Sequence, residues 1–171
     1  KEDKLTFGIG LRHWSRSEVL KSSIFWFAFP GLLGLPAFGT VLFFQQVNYA
    51  SLKGWDHLSM VKAYPLFTIV AVGISFLSGS LIDRYSAIKL IGFYQIPAIL
   101  GFYIFSVCET LVGFSIGLIC FAITAGSNNI IPNAFWAECF GTASLGKIKA
   151  LAAGVMVVGS ALGPLISGFL I

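Results

Sequence analysis

The chain has 171 residues, 57% of them hydrophobic and 11% charged, with a mean hydropathy of +0.88; a soluble domain carries roughly 25% charged residues. That balance excludes a water-soluble fold and makes the lipid bilayer the expected solvent. The net charge of +4 is scattered over short polar segments and forms no basic face, so nucleic acid is excluded as a partner.

Residues 1–23 form a polar lead-in, with 13–21 expected as a short surface helix whose Trp14 lies in the membrane interface. No short apolar core and small-residue cleavage site follow the charged start, so a signal peptide is not expected. Five apolar stretches follow, at about 24–50, 63–82, 88–107, 111–134 and 150–171. Each is long enough to cross a hydrocarbon core of about 30 Å as a helix. Only a helix satisfies such a backbone internally, because a barrel would need alternating ten-residue strands. The fold class is all-α, a polytopic transmembrane helical bundle. In the first stretch Pro30 and Pro36 predict a kinked or locally unwound helix.

Orientation follows from the cations. With the amino terminus cytoplasmic, the inside segments hold Lys1, Lys4, Arg12, Arg16, Lys21, Arg84, Lys89, Lys147 and Lys149, and the outside loops only Lys53 and Lys62. This is a positive-inside bias and predicts a multi-pass protein of the plasma or bacterial inner membrane. The chain opens without Met and stops on the apolar run 166–171, as an internal fragment would.

Chemistry-bearing patterns are few. Cys108, Cys120 and Cys139 lack metal-type spacing and are read as small packing residues. His13 and His57 lie far apart in predicted loops, so no metal site is expected. No H-E-x-x-H, G-x-S-x-G or P-loop occurs, and no carboxylate pair or His/Asp cluster lies within a span. Neither an enzyme nor a cofactor is expected. Gln45, Gln46, Asn48, Thr124, Asn128 and Asn129 are the uncharged polar groups in or near the spans. In hydrocarbon each must face a cavity or a partner helix, which makes them either substrate-pathway residues or helix-to-helix hydrogen-bonding groups.

Between the second and third stretches the chain reads Gly79-Ser80-Leu81-Ile82-Asp83-Arg84-Tyr85-Ser86-Ala87-Ile88-Lys89. Gly79 is a candidate for close helix approach, and Asp83 and Arg84 end the span at the headgroups. The run resembles the G-x-L-x-D-R-x-G-R-K signature of the major facilitator superfamily, in the copy between that family's eighth and ninth helices. It departs from that signature at Ser86, where the signature has Gly, and at Ile88. Asn133 to Thr142 followed by Leu145 to Ala150 resembles the loop between the tenth and eleventh helices of the monocarboxylate and oxalate/formate branch. Gly159 to Pro164 with Gly168 resembles that branch's eleventh helix.

The resemblance implies that the five stretches are helices seven to eleven. Residues 1–23 would be the central cytoplasmic loop, and 24–171 a partial carboxyl-terminal bundle lacking its last helix and its amino-terminal half. It further implies a secondary transporter that moves a small-molecule substrate by alternating access, with a small carboxylate as the branch's substrate. Relatives of that branch carry a basic residue in the eighth or eleventh helix, and neither 64–82 nor 151–171 holds one. Asp83 and Arg84 are either charges that end a helix or a conformational latch against the missing half. Glu138 is read as a gate residue ion-paired to Arg84 or Lys147, as a solvated loop charge, or as a proton carrier. A membrane sensor or scaffold that kept the fold and lost the flux is the alternative.

Overall fold

The computed structural model describes residues 8–9 and 14–170. Every element among them is helical: α1 (Arg16–Lys21), α2 (Ser23–Leu52), α3 (His57–Val61), α4 (Tyr64–Tyr85), α5 (Ala87–Leu90), α6 (Ile96–Val107), α7 (Leu111–Asn128), α8 (Ile131–Phe140) and α9 (Leu145–Leu170). Side chains at the entries explain several of the boundaries. Ser22, Asp56 and Thr110 each accept a backbone N–H of the helix they open, and Pro65, Pro97 and Pro132 sit in the first turn of α4, α6 and α8, where a missing N–H costs nothing. The Ser59 amide and hydroxyl hold the Asp56 carboxyl below its ordinary range.

Four helical stretches are long and apolar enough to cross a membrane: Ser23–Leu52, His57–Tyr85, Leu111–Phe140 and Leu145–Phe169. The expected third span, 88–107, is not one helix. It divides into α5, a turned segment at 91–95 and α6, whose 12 residues reach only about 18 Å. The cause is Pro97, whose ring would collide with the Phe93 carbonyl in a continuous helix. That carbonyl instead accepts the Ile96 N–H at 3.0 Å. Pro132 divides the fourth span into α7 and α8 in the same way, and that span runs on to Phe140 rather than 134. Of the kinked or locally unwound helix expected at Pro30 and Pro36, the unwinding does not occur, since α2 is helical throughout its 30 residues. The Trp26 and Leu32 carbonyls, which those prolines deprive of donors, are tolerated within an intact helix.

α2 packs along α9, and α7 lies between α4 and α6. Their outward faces remain apolar: Phe27 is 91% exposed, Phe76 79% and Phe169 84%. Apolar surface on that scale belongs against lipid, and in lipid helices associate through close packing rather than through the hydrophobic effect. Small residues supply that packing. A Cβ on Gly163 would stand 2.4 Å from the Ala37 carbonyl oxygen, and one on Gly126 2.3 Å from that of Ala71. Two buried clusters close the ends. Val19, Phe25, Ala87, Trp136, Phe140 and Ile148 gather where α1, α5, α8 and the start of α9 meet; Leu42, Met60, Phe105, Phe114 and Phe121 fill the opposite end. Trp14 is half-buried, edge-on to Phe140 at 5.3 Å, and so belongs to the first cluster rather than lying free in the interface. His13, expected to start the surface helix, lies outside the described residues.

Gly163→Val should force α2 and α9 apart and lower stability by about 1–3 kcal/mol, whereas Gly168→Ala, with open space around its Cβ, should leave it unchanged. Thermal unfolding in detergent checks the pair.

Candidate functional site

The two loop segments that suggested a family touch each other. α4 ends at Ser86, whose φ of 68° and ψ of 143° make it the one non-glycine with positive φ among the described residues. A side chain in that region costs about 1–3 kcal/mol, which accounts for Gly at this position of the signature. Here the serine gains a compensating bond, its hydroxyl donating to Glu138 Oε2 at 2.5 Å. Glu138, on α8, also accepts the Ala87 N–H at 3.0 Å and the Ile88 N–H at 3.2 Å. The carboxylate thus occupies the free amides at the start of α5, where a negative charge is favoured. The expected ion pair of Glu138 with Arg84 or Lys147 is absent among the described residues; backbone amides and a hydroxyl replace it.

Asp83 and Arg84 are exposed at the end of α4, with the Arg84 guanidinium 5.4 Å from the Tyr85 ring centre. Gly79 meets nothing within 4 Å of a Cβ built on it. The close approach expected of it is therefore not made to a described helix of this chain.

The polar groups divide sharply. Thr124 is fully buried, and its hydroxyl accepts the Ala98 N–H at 2.9 Å while donating to the Tyr94 carbonyl at 3.1 Å. Those two backbone groups would bond each other in an unbroken helix, so the α7 hydroxyl is spliced into the interrupted ladder. Thr124 is thereby a helix-to-helix group. Asn128 stands beside it in a second junction: the Tyr94 hydroxyl lies 3.3 Å from both Asn128 Oδ1 and the Gly31 carbonyl, and Gln95 Nε2 donates to that carbonyl at 2.5 Å and to Tyr94 Oη at 2.9 Å. Asn129 closes α7, its carbonyl accepting Asn133 Nδ2 at 2.6 Å across the Pro132 break. Gln46 Oε1 accepts the Tyr64 hydroxyl at 2.7 Å, and Gln45 and Asn48 are half-buried farther along α2. Gln45, Gln46 and Asn48 thus lie away from the Thr124 and Asn128 junctions.

Sequence reasoning missed Tyr94, Gln95 and Ser86. Gln95 carried a usable signal, being an amide inside an apolar stretch two residues before a proline. Ser86 carried one too, as the departure from Gly at a turn position. His57 begins α3, with Nε2 buried and unpartnered among the described residues; no three His, Cys, Asp or Glu side chains come together among them. The described cations Arg16, Lys21, Arg84, Lys89, Lys147 and Lys149 flank the end of the bundle that holds Glu138, and Lys53 and Lys62 the other.

Residues 3–171 match the family model described as the Major Facilitator Superfamily. The chain belongs to the major facilitator superfamily. It is accordingly an integral membrane protein of a transporter family, consistent with its apolar helices. Neither a curated protein nor a solved structure matches it. Within this superfamily member, the Gly79–Lys89 and Asn133–Ala150 runs are joined physically by the Ser86 and Glu138 contact.

Glu138→Ala should cost about 1.5–3 kcal/mol, because it strands two amides that now bond a carboxylate, while Arg84→Ala and Lys147→Ala should each change stability by less than about 0.5 kcal/mol. Denaturation midpoints of the three variants in one detergent check this.

Proposed function

We propose that the chain is the carboxyl-terminal half, without its last helix, of a secondary transporter that moves a small solute by alternating access. The spans are helices seven to eleven, and residues 1–23 belong to the central cytoplasmic loop. The observation that carries this reading is the division of labour at the Glu138 end of the bundle. Glu138 is consumed internally in fixing α5, whereas Asp83 and Arg84 are exposed and form no ion pair among the described residues. A fixed end with a presented charge is what a rocking half needs if it is to latch onto its opposite number and release it. Gly79, open on its outer side, gives that opposite half room to come close.

The clustering of cations at this end makes it the cytoplasmic end by the positive-inside rule, in a plasma or bacterial inner membrane. The missing amino-terminal half is the partner of the latch and the second wall of the cavity. A small carboxylate is the solute that resemblance to the monocarboxylate and oxalate/formate branch favours, and a gradient of protons or of a counter-substrate would drive it.

The test is uptake of labelled carboxylates, sugars and amino acids into vesicles holding the full-length parent, with and without a proton gradient. Flux of one solute is expected. Asp83→Asn should slow that flux about tenfold, the equivalent of about 1.4 kcal/mol of lost latch stabilisation, with membrane insertion intact. Binding of a solute without flux would instead indicate a sensor or scaffold.

A further inference from the structure

A groove of about 960 Å³ runs along the α2–α9 pair, walled by Phe29, Leu33, Val41, Val158 and Ile166 among others. From Lys147 to Ile166 it follows α9 for about 28 Å at 1.5 Å per residue, close to the hydrocarbon thickness of about 30 Å. Small residues leave the room: Ala37, Ala150 and Gly154 line it, and a Cβ built on Gly154 meets nothing within 4 Å.

Three polar residues line this groove among those described. Ser167 spends its hydroxyl on the Pro164 carbonyl at 3.0 Å. The other two, Arg16 and Lys147, are exposed cations. They share one end of the bundle, because α1 packs on the start of α9, with Val19 and Ile148 in one buried cluster. Neither makes an ion pair among the described residues, and no carboxylate lines the groove. Trp26, 55% exposed with its Nε1 donating to the Leu20 carbonyl at 2.8 Å, marks the same end as headgroup depth, where half-wet aromatics collect. An apolar groove alone selects no lipid, since every acyl chain in a bilayer is equally apolar. Cations at its mouth do select, and basic pockets between transmembrane helices are sites for anionic headgroups. A phospholipid carries both complements in one molecule, chains for the groove and a phosphate for the guanidinium and ammonium. An apolar helix would cover the walls but bring no counter-charge.

We propose that the groove between α2 and α9 holds an anionic phospholipid, its headgroup phosphate at Arg16 and Lys147 and an acyl chain along the α9 wall. The lipid is a structural ligand and not the transported solute, so the proposal goes beyond the transport reading.

The experiment counts bound lipid by native mass spectrometry on the full-length parent in nonionic detergent micelles, titrated with phosphatidylglycerol or with phosphatidylcholine of the same chains. Phosphatidylglycerol is expected to half-saturate at a concentration at least about tenfold lower than phosphatidylcholine. Arg16→Gln and Lys147→Gln should each raise its half-saturating concentration about fivefold, and the two together about thirtyfold, while Arg16→Lys with Lys147→Arg should keep it within about twofold. Gly154→Leu, which plugs the groove and leaves both cations in place, should raise it about tenfold by excluding the chain. Equal binding of the two lipids overturns the site, as does a phosphatidylglycerol preference indifferent to both the double Gln variant and Gly154→Leu. Displacement of the lipid by equimolar sodium phosphate would assign the cations to a free anion and overturn it too. Loss of thermal stability in lipid-free Gly154→Leu, with no preference between the lipids, would put a protein segment in the groove instead. The readout needs neither flux nor a sided membrane, so it is decided apart from the transport reading.

Discussion

A proline that breaks a helix in hydrocarbon leaves backbone groups that no water can satisfy, and each costs several kcal/mol if stranded. The arrangement of this bundle follows from how those groups are answered. The Pro97 break parts the Ala98 N–H from the Tyr94 carbonyl, and the Thr124 hydroxyl restores the connection from a neighbouring helix. At the Pro132 break Asn133 covers the Asn129 carbonyl. Glu138 does the same for the first amides of α5. Because the answering side chains come from α7 and α8, the division of the third span and the position of the fourth are set together.

This coupling separates two kinds of polar residue that look alike in a sequence. Thr124 belongs to the protein's own hydrogen bonding, and so does Asn128 through its oxygen at the Tyr94 junction, whereas Asn129 is exposed with no side-chain hydrogen bond among the described residues. The same distinction holds for charge. Glu138 is spent on the fold, while Asp83 and Arg84 are exposed. The proposed transporter half requires such a division, with a rigid body that would keep its internal bonds through the cycle and a few exposed groups that would change partners.

The helical class and most of the spans were legible because a continuous apolar run of about 20 residues has one structural solution in lipid. Membership of the superfamily was legible in the Asp83-Arg84 loop, because a short charged segment between two apolar spans stands out in the sequence. The break at 91–95 was not read, although Pro97 stood in the sequence, because a proline also fits the first turn of a helix and inside one is often absorbed, as Pro30 and Pro36 are in α2. The partner of Glu138 was misjudged for a related reason. Sequence offers Arg84 and Lys147 as opposite charges, but it gives no sign of the backbone amides that a turn at Ser86 exposes. Lys149 was assigned to a loop because helix ends read from hydropathy stop at the first charge, while the helix itself does not.

The central claim is that side chains from α7 and α8 hold the interrupted third span together, and residue-resolved hydrogen–deuterium exchange in detergent micelles tests it most directly. The amides of Ala87, Ile88 and Ala98 are expected to exchange as slowly as those in the middle of α7, with only the Ala98 amide speeding up, by about tenfold or more, in a Thr124→Val variant. Exchange of all three at the rate of open turns in the unmodified protein, or no change at Ala98 in the variant, would contradict it.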